Sequence, residues 1–433
     1  MQANSARALL LRMAPSIYGP TMLFTLGEYA MLPLIPVIAT GMGAGIGLSG
    51  LIASAAVVGQ LAGNLPASWV VARAGERIAM LAASAVALLG AAGVALAPHL
   101  ALLGASVFLV GFAAATFGLA RHAFMTTRVP VAFRARSLAL IGGAHRLGRF
   151  AGPFLAAGLL AATGDQSLPV WAFVGCLALT AALVGFAPDP ERSALAGSAP
   201  GAAPGAVPAA GGGAAGSGAR PGPDAASGGI RSAVRAGGGG LLRVGGASAI
   251  LAGLRAVKDV LLPLWGVSIG MDPAAVALVV GVSGTIDFAL FYASGQVMDR
   301  FGRLWAALPA TVAMALSFLV LSVTHDAPGA EIWLIACGAA MGLGNGLSSG
   351  INLTLGADLA PPGNPAPYLA AWRTLTDFGG AAAPLAASAI AVVSLPAAAA
   401  ATGVLAVLGA AAFARWVPRY VPRAPTRRRG GAV

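Results

Sequence analysis

The chain has 433 residues, 58% of them hydrophobic and only 9% charged, with a mean hydropathy of +0.84. A water-soluble protein of this length needs a far larger polar surface, so the composition excludes that class. The formal net charge of +12 does not point to nucleic acid. Its arginines lie between apolar runs, without a basic face of interleaved aromatics.

Long apolar runs follow one another at 16–40, 48–71, 78–97, 100–126, 137–162 and 168–187, and again at 245–268, 274–297, 304–323, 332–357, 368–394 and 397–417. Each is long enough to cross a bilayer core, which takes about 20 residues as a helix. Backbone groups in lipid must be satisfied within the segment, so helices are expected. The alternating pattern of a membrane β-barrel is absent. The sequence therefore predicts an all-α membrane protein of twelve transmembrane helices. The first run lacks a small-residue cleavage site and reads as a span rather than a signal peptide. Cys176 and Cys337 fall inside apolar runs, so no disulfide framework is indicated.

The loops set the orientation. Arg7 and Arg12 precede the first span, Arg73 and Arg77 follow the second, and Arg128, Arg134 and Arg136 link the fourth to the fifth. Arg300 and Arg303 follow the eighth, and Arg427, Arg428 and Arg429 lie in the tail. The alternate loops carry no Lys or Arg. Only an even helix count with both termini cytoplasmic obeys this bias. Heavy use of Ala, Gly, Pro and Arg, with Lys258 the only lysine, suits a bacterial inner-membrane protein. Residues 188–243, rich in Ala, Gly, Pro and Ser over most of their length, read as a flexible cytoplasmic linker between six-helix units at 1–187 and 244–433.

The two units resemble each other. Met31-Leu32-Pro33-Leu34 in the first helix matches Leu261-Leu262-Pro263-Leu264 in the seventh. After the eighth helix comes Gly295-Gln-Val-Met-Asp299-Arg300-Phe-Gly302-Arg303. After the second comes Ser68-Trp-Val-Val-Ala72-Arg73-Ala-Gly75-Glu76-Arg77. Two sequential six-helix repeats are one transporter architecture. On these motifs the chain resembles the major facilitator superfamily over nearly all of its length outside the linker. The later turn fits that family's cytoplasmic signature G-x-x-x-D-R-x-G-R at every fixed position; the earlier one has lost its glycine to Ser68 and its aspartate to Ala72. The resemblance implies that Asp299, Arg300, Gly302 and Arg303, with Arg73 and Gly75, form a cytoplasmic gate. It places Asp299 against the start of the fifth helix near Ser137.

Nine ionisable residues fall deep in the predicted spans: Glu28, Arg146, Arg149, Arg255, Lys258, Asp259, Asp287, Arg373 and Asp377. On an insertion scale each costs roughly 2.5–3.5 kcal/mol, about 20–30 kcal/mol in all before pairing and water relieve it. They must face one another or an aqueous cavity. The repeat aligns Glu28 with Lys258, Gln60 with Asp287 and, more loosely, Arg149 with Asp377. A cavity bounded by helices 1, 5, 7, 8 and 11 follows. Glu28, Asp287, Asp259 and Asp377 are the candidates for proton coupling. Gln60, Arg146, Arg149, Arg255, Lys258 and Arg373 are the candidates for the substrate cavity. Arg255 with Asp259, and Arg373 with Asp377, are spaced i,i+4 and can also satisfy each other as structural pairs.

Helix 5 carries Gly148-Arg-Phe-Ala-Gly152-Pro153, which resembles the core of the antiporter signature of the drug:proton branch of that superfamily. The implied role of Gly148, Gly152 and Pro153 is close packing with a rocking kink. Ala156 and Ala157 stand where further glycines are usual. Val107 stands where that branch carries an arginine, four residues before Gly111. Arg121 and His122 read as interfacial. The resemblance implies proton-coupled efflux of a small organic compound by alternating access. Proton-linked uptake of an anionic metabolite is the alternative, motivated by the buried cations. A membrane scaffold or enzyme is a third class. No metal-ligand cluster, nucleophile triad or nucleotide loop supports an enzyme, and no cofactor or metal is called for. The expected partners are a small-molecule substrate, protons and the lipid bilayer, with no nucleic acid and a monomer as the working unit.

Overall fold

The computed structural model describes residues 17–128, 131–186, 223–361 and 365–421. Arg7, Arg12 and the three tail arginines, Arg427 to Arg429, lie outside them, as does the linker up to residue 222. Among the described residues all regular structure is helical, and the helices make twelve crossings. They are α1 (Gly19–Gly41), α2 and α3 (the two arms of Ile46–Ala95), α4 (Leu100–Arg128), α5 (Val131–Thr163) and α6 (Leu168–Phe186). The second half comprises α7 (Pro223–Ser268), α8 (Pro273–Phe301), α9 (Arg303–Thr324), α10 (Ala330–Leu359), α11 (Ala366–Ala391) and α12 (Leu395–Tyr420).

Eight helical segments are apolar and long enough to cross a membrane on length and composition alone, Ile46–Ala95 crossing twice. The crossings outside that set are α5, α7 and α11, the helices that carry seven of the nine deep charges. Helix starts follow local chemistry. Asp272 accepts from the Ala274 amide at 2.9 Å to cap α8, and Ser394 accepts from the Ala397 amide at 3.2 Å to cap α12. Proline at the first or second helical position sets the start of both.

The corners joining α2 to α3 and α8 to α9 are copies of one backbone shape. Gly75 has φ 79° and ψ 168°, and Gly302 has φ 93° and ψ 167°. Only glycine occupies that region without strain. The end of the bundle bearing these two corners is the arginine-rich end.

Each half buries its own core. Phe24, Phe117 and Phe173 anchor the first, with Phe24 and Phe117 stacked at 4.6 Å. Trp265, Phe318 and Phe413 anchor the second. A third, smaller cluster of Ala30, Leu34, Val37, Ala156, Leu160 and Ala277 joins α1 and α5 to α8. Gly148 and Gly152 bring α5 onto α1 within the first half. A side chain at Gly148 would meet the Met22 carbonyl oxygen at 2.7 Å, and one at Gly152 the Leu26 carbonyl oxygen at 2.7 Å. The related helix pair in the second half makes the same contact: a side chain at Gly379 of α11 would overlap the Ala249 carbonyl oxygen of α7. α5 continues as helix through Pro153.

One boundary moves. The sequence places a flexible linker up to residue 243, whereas α7 is helical from Pro223. Leu241 is buried in the second core, and Arg243 bonds α12. A helix that packs beyond the apolar run is invisible to hydropathy, because its contacts come from other helices.

Candidate functional site: a charged cavity between the halves

A cavity of about 580 Å³ lies between the halves, lined from α1, α2, α4, α5, α7, α8 and α11. Its polar lining includes Glu28, Gln60, Arg121, Arg149, Asp259 and Asp377. The floor is deep: Glu28 is 4% exposed. The mouth is at the arginine-rich end, where the Arg373 side chain is 70% exposed and His122 is also exposed. At the opposite end the halves touch. A side chain at Gly47 of α2 would overlap Val392, next to the end of α11, and Ser54 hydrogen-bonds Ser388 at 3.1 Å. The chain therefore presents one face of an alternating-access shape, open at the arginine-rich end and shut at the other.

Helix α5 places two arginines against the second half. Arg149 donates to Asp259 of α7 at 2.5 Å, and Lys258 pairs with the same carboxylate at 3.3 Å. Arg146 lies 3.5 Å from Asp287 of α8 and also donates to Ser349 of α10. Aromatic contacts reinforce this seam, Phe150 stacking on Phe288 at 5.5 Å. The i,i+4 pair open to Arg255 and Asp259 does not form. Arg255 turns from Asp259 to the Ser348 carbonyl at 2.8 Å and the Ser348 hydroxyl at 2.6 Å. The reason is a break in α10 at Ser348–Gly350, where Gly350 takes φ 79°. The break frees carbonyl groups, and Ser294 donates to that of Ser349 at 2.6 Å. Arg373 and Asp377 do pair within α11, at 3.6 Å, and Asp377 also accepts from Asn64 of α2 at 3.2 Å.

The candidate residues thus divide. Glu28, Asp259, Asp377, Gln60, Arg149, Arg255 and Arg373 line the cavity. Asp287 sits behind the wall, 5% exposed, and accepts from Asn345 of α10 at 2.6 Å. Lys258 is likewise packed behind it, 3.5 Å from Ser283. Arg121 and His122 were expected at the interface; both line the cavity instead. Tyr29, His145 and Asn64 are among the further lining groups that the sequence reading does not single out. Arg149 lies 4.9 Å from the ring centre of Tyr29, and His145 lies 3.0 Å from the Thr25 hydroxyl. The signal for His145 was present, since it shares the helix 5 run with Arg146 and Arg149.

The gate residues also differ from expectation. Among the described residues Asp299 makes no ion pair or hydrogen bond to Ser137 of α5. Its side chain is 84% exposed, and its ion-pair partner among the described residues is Arg303 at 3.5 Å. Arg303 in turn holds Asp358 of α10 at 2.8 Å. Among the described residues Asp299 bonds within its own turn. Arg73 stacks over Trp69 at 4.4 Å, and Arg300 lies over Phe301 at 5.4 Å.

The chain matches the family model of the Major Facilitator Superfamily over residues 20–236 and 244–432. No curated protein matches it by sequence. Among solved structures it is similar to an auto-inhibited POT family peptide transporter, with a TM-score of 0.71, 16% identity and coverage of 97% of this chain and 99% of that one. It is also similar to a D-xylose-proton symporter, with a TM-score of 0.70, 13% identity and coverage of 96% and 100%. A POT family transporter in complex with a thioalcohol-conjugated peptide superposes with a TM-score of 0.71 at 11% identity, covering 93% and 96%. At these identities the likeness is one of fold, and with the family match over both halves it establishes that this chain belongs to the Major Facilitator Superfamily.

Proposed function

We propose that the protein is a proton-coupled secondary transporter of a small organic compound, with Glu28 as the coupling carboxylate. The observation that carries this is the isolation of Glu28. It lines the cavity at 4% exposure, and among the described residues it has no hydrogen-bond or ion-pair partner. Asp259, Asp287 and Asp377 are each held by a cation or an amide. A proton can therefore reach and leave Glu28 without breaking a pair, whereas at the other three it would have to displace one. Arg121 and Arg149 are cations of the same cavity lining and attract its ionised form. Proton loss exposes Glu28 to that attraction, and the two charge states favour different cavity shapes. This is the bistability that alternating access needs.

We assign the direction as efflux, on the Gly148, Gly152 and Pro153 pattern of α5. The arginine-rich end would then be cytoplasmic, in a bacterial inner membrane, with the corner residues Arg73, Gly75, Asp299, Arg300, Gly302 and Arg303 gating it. The halves 1–187 and 244–433 would rock about the cavity in a monomer. Uptake of an anionic solute is the second reading. Arg121 favours it: its Nε is buried and, among the described residues, has no hydrogen-bond partner. A similar fold also serves a D-xylose-proton symporter.

The test is transport in proteoliposomes under an imposed pH gradient, with amphiphilic dyes and organic anions as separate substrate sets. The wild-type chain is expected to concentrate one set. Glu28→Gln is expected to keep substrate counterflow and lose gradient-driven accumulation. Wild-type accumulation by Glu28→Gln overturns the coupling role, and accumulation of organic anions alone replaces the efflux reading by the second.

A further inference from the structure

At the arginine-rich end, away from the cavity, three guanidinium groups from two helices surround a single indole. Arg243 of α7 lies 4.5 Å from the ring centre of Trp416 on α12, Arg419 lies 5.3 Å away and Arg415 5.4 Å. Arg243 also donates to the Tyr420 hydroxyl at 2.6 Å. All three arginines are exposed, and among the described residues none forms an ion pair. Attraction to one aromatic face holds the cations in place. It does not neutralise them, and gathering three like charges around one ring is unfavourable unless an anion joins them.

The surroundings say where that anion comes from. Along α12, Val404, Leu408 and Ala411 are exposed at helical spacing and fall on the face that ends in Arg415. In a chain that spans the bilayer, an exposed apolar helix face is turned to lipid. Leu242, 71% exposed, adds an apolar step beside Arg243. Trp416 and Tyr420 stand at the end of the span, the level at which such rings meet headgroups. An acyl chain lying on the apolar stripe would bring its headgroup to the three arginines.

We propose that Arg243, Arg415 and Arg419 form a binding site for the phosphate of an anionic phospholipid, shared between α7 and α12. Guanidinium forks suit phosphate oxygens, which can accept two bonds from one arginine. The bound lipid offsets the mutual repulsion of the three cations and fastens the amino-terminal part of α7, which precedes the membrane span, to the end of α12. Net negative charge on the lipid is required, because a zwitterionic headgroup brings its own cation.

Native mass spectrometry of the purified full chain tests this, with phosphatidylglycerol, phosphatidylcholine and inorganic phosphate as separate probes. Phosphatidylglycerol is expected to stay bound and to raise the apparent Tm, and the other two are not. Each basic residue near an anionic headgroup is worth about a fivefold change in binding, so the triple variant R243Q/R415Q/R419Q is expected to weaken phosphatidylglycerol roughly a hundredfold. The single variant Arg415→Gln, at an exposed position, is expected to weaken it about fivefold and decides the matter if the triple variant does not fold. Unchanged phosphatidylglycerol binding in a folded variant overturns the site. Equal retention of phosphatidylcholine, or of inorganic phosphate alone, overturns the lipid assignment.

Discussion

In the first half, Glu28, Gln60 and Arg121 face the cavity, and among the described residues the side chains of Glu28 and Gln60 make no hydrogen bond. In the second half the charges at similar depth are tied down. Asp259 holds Arg149 and Lys258, Asp287 holds Asn345 and Arg146, and Arg255 holds the broken turn of α10. Both halves contribute charge to the midplane; the second half's carboxylates there each have a partner, two of them Arg146 and Arg149 reaching across from α5, whereas among the described residues Glu28 and Gln60 have none. A satisfied buried network resists rearrangement, because removing one member strands the rest. An isolated carboxylate can change its charge with nothing to rearrange but solvent and cavity shape. The second half thus behaves as the frame and the first half as the responsive wall.

The largest test of that contrast compares two positions related by the repeat, Gln60 and Asp287. Asp287→Ala leaves Arg146 and Asn345 short of a buried partner, and is expected to destabilise the protein by about 3 kcal/mol. Gln60→Ala removes a cavity-facing group without a partner and is expected to change stability by about 0.5 kcal/mol or less. Thermal unfolding of the purified variants in one detergent measures both. Equal losses would erase the distinction between frame and responsive wall.

A smaller effect is expected where the halves agree. Gly75 and Gly302 share one backbone shape although the aspartate of the signature survives only beside Gly302. Replacing either with alanine forces a side chain into a glycine-only conformation, at about 1–3 kcal/mol each. Similar Tm losses in Gly75→Ala and Gly302→Ala would show that the corner is retained for its geometry. A loss confined to Gly302→Ala would tie the corner to its carboxylate instead.

The fold was legible where apolar runs and turn chemistry are local. Both glycine corners and both Leu-Pro-Leu segments are visible as repeats, and the deep charges mark the helices that surround the cavity. The pairing of those charges was not legible. The i,i+4 spacing of Arg255 and Asp259 reports what α7 alone permits, whereas Arg149 arrives from the other half and Ser348 from a break in α10. Arg121 lies close enough to the end of α4 to read as interfacial. Its place in the cavity wall depends on how the halves splay at that end. Asp299 bonds within its own turn among the described residues, and a contact between halves belongs to one conformation rather than to the sequence.

The smallest effect is expected at the arginine-rich end of the frame half. Arg303 at the start of α9 holds Asp358 at the end of α10 at 2.8 Å, with side chains 27% and 28% exposed. An ion pair this accessible contributes about 0.5 kcal/mol. A double-mutant cycle over Arg303→Ala and Asp358→Ala, read by thermal unfolding, should return a coupling of that size. The pair lies wholly within the second half, so it does not hold the two halves together and its loss should leave the open end open. If the coupling instead approaches that of the buried Asp287 network, the satisfied wall extends out to the membrane surface. The frame would then reach the arginine-rich end, and the contrast between the halves would hold along their full length rather than at the midplane alone.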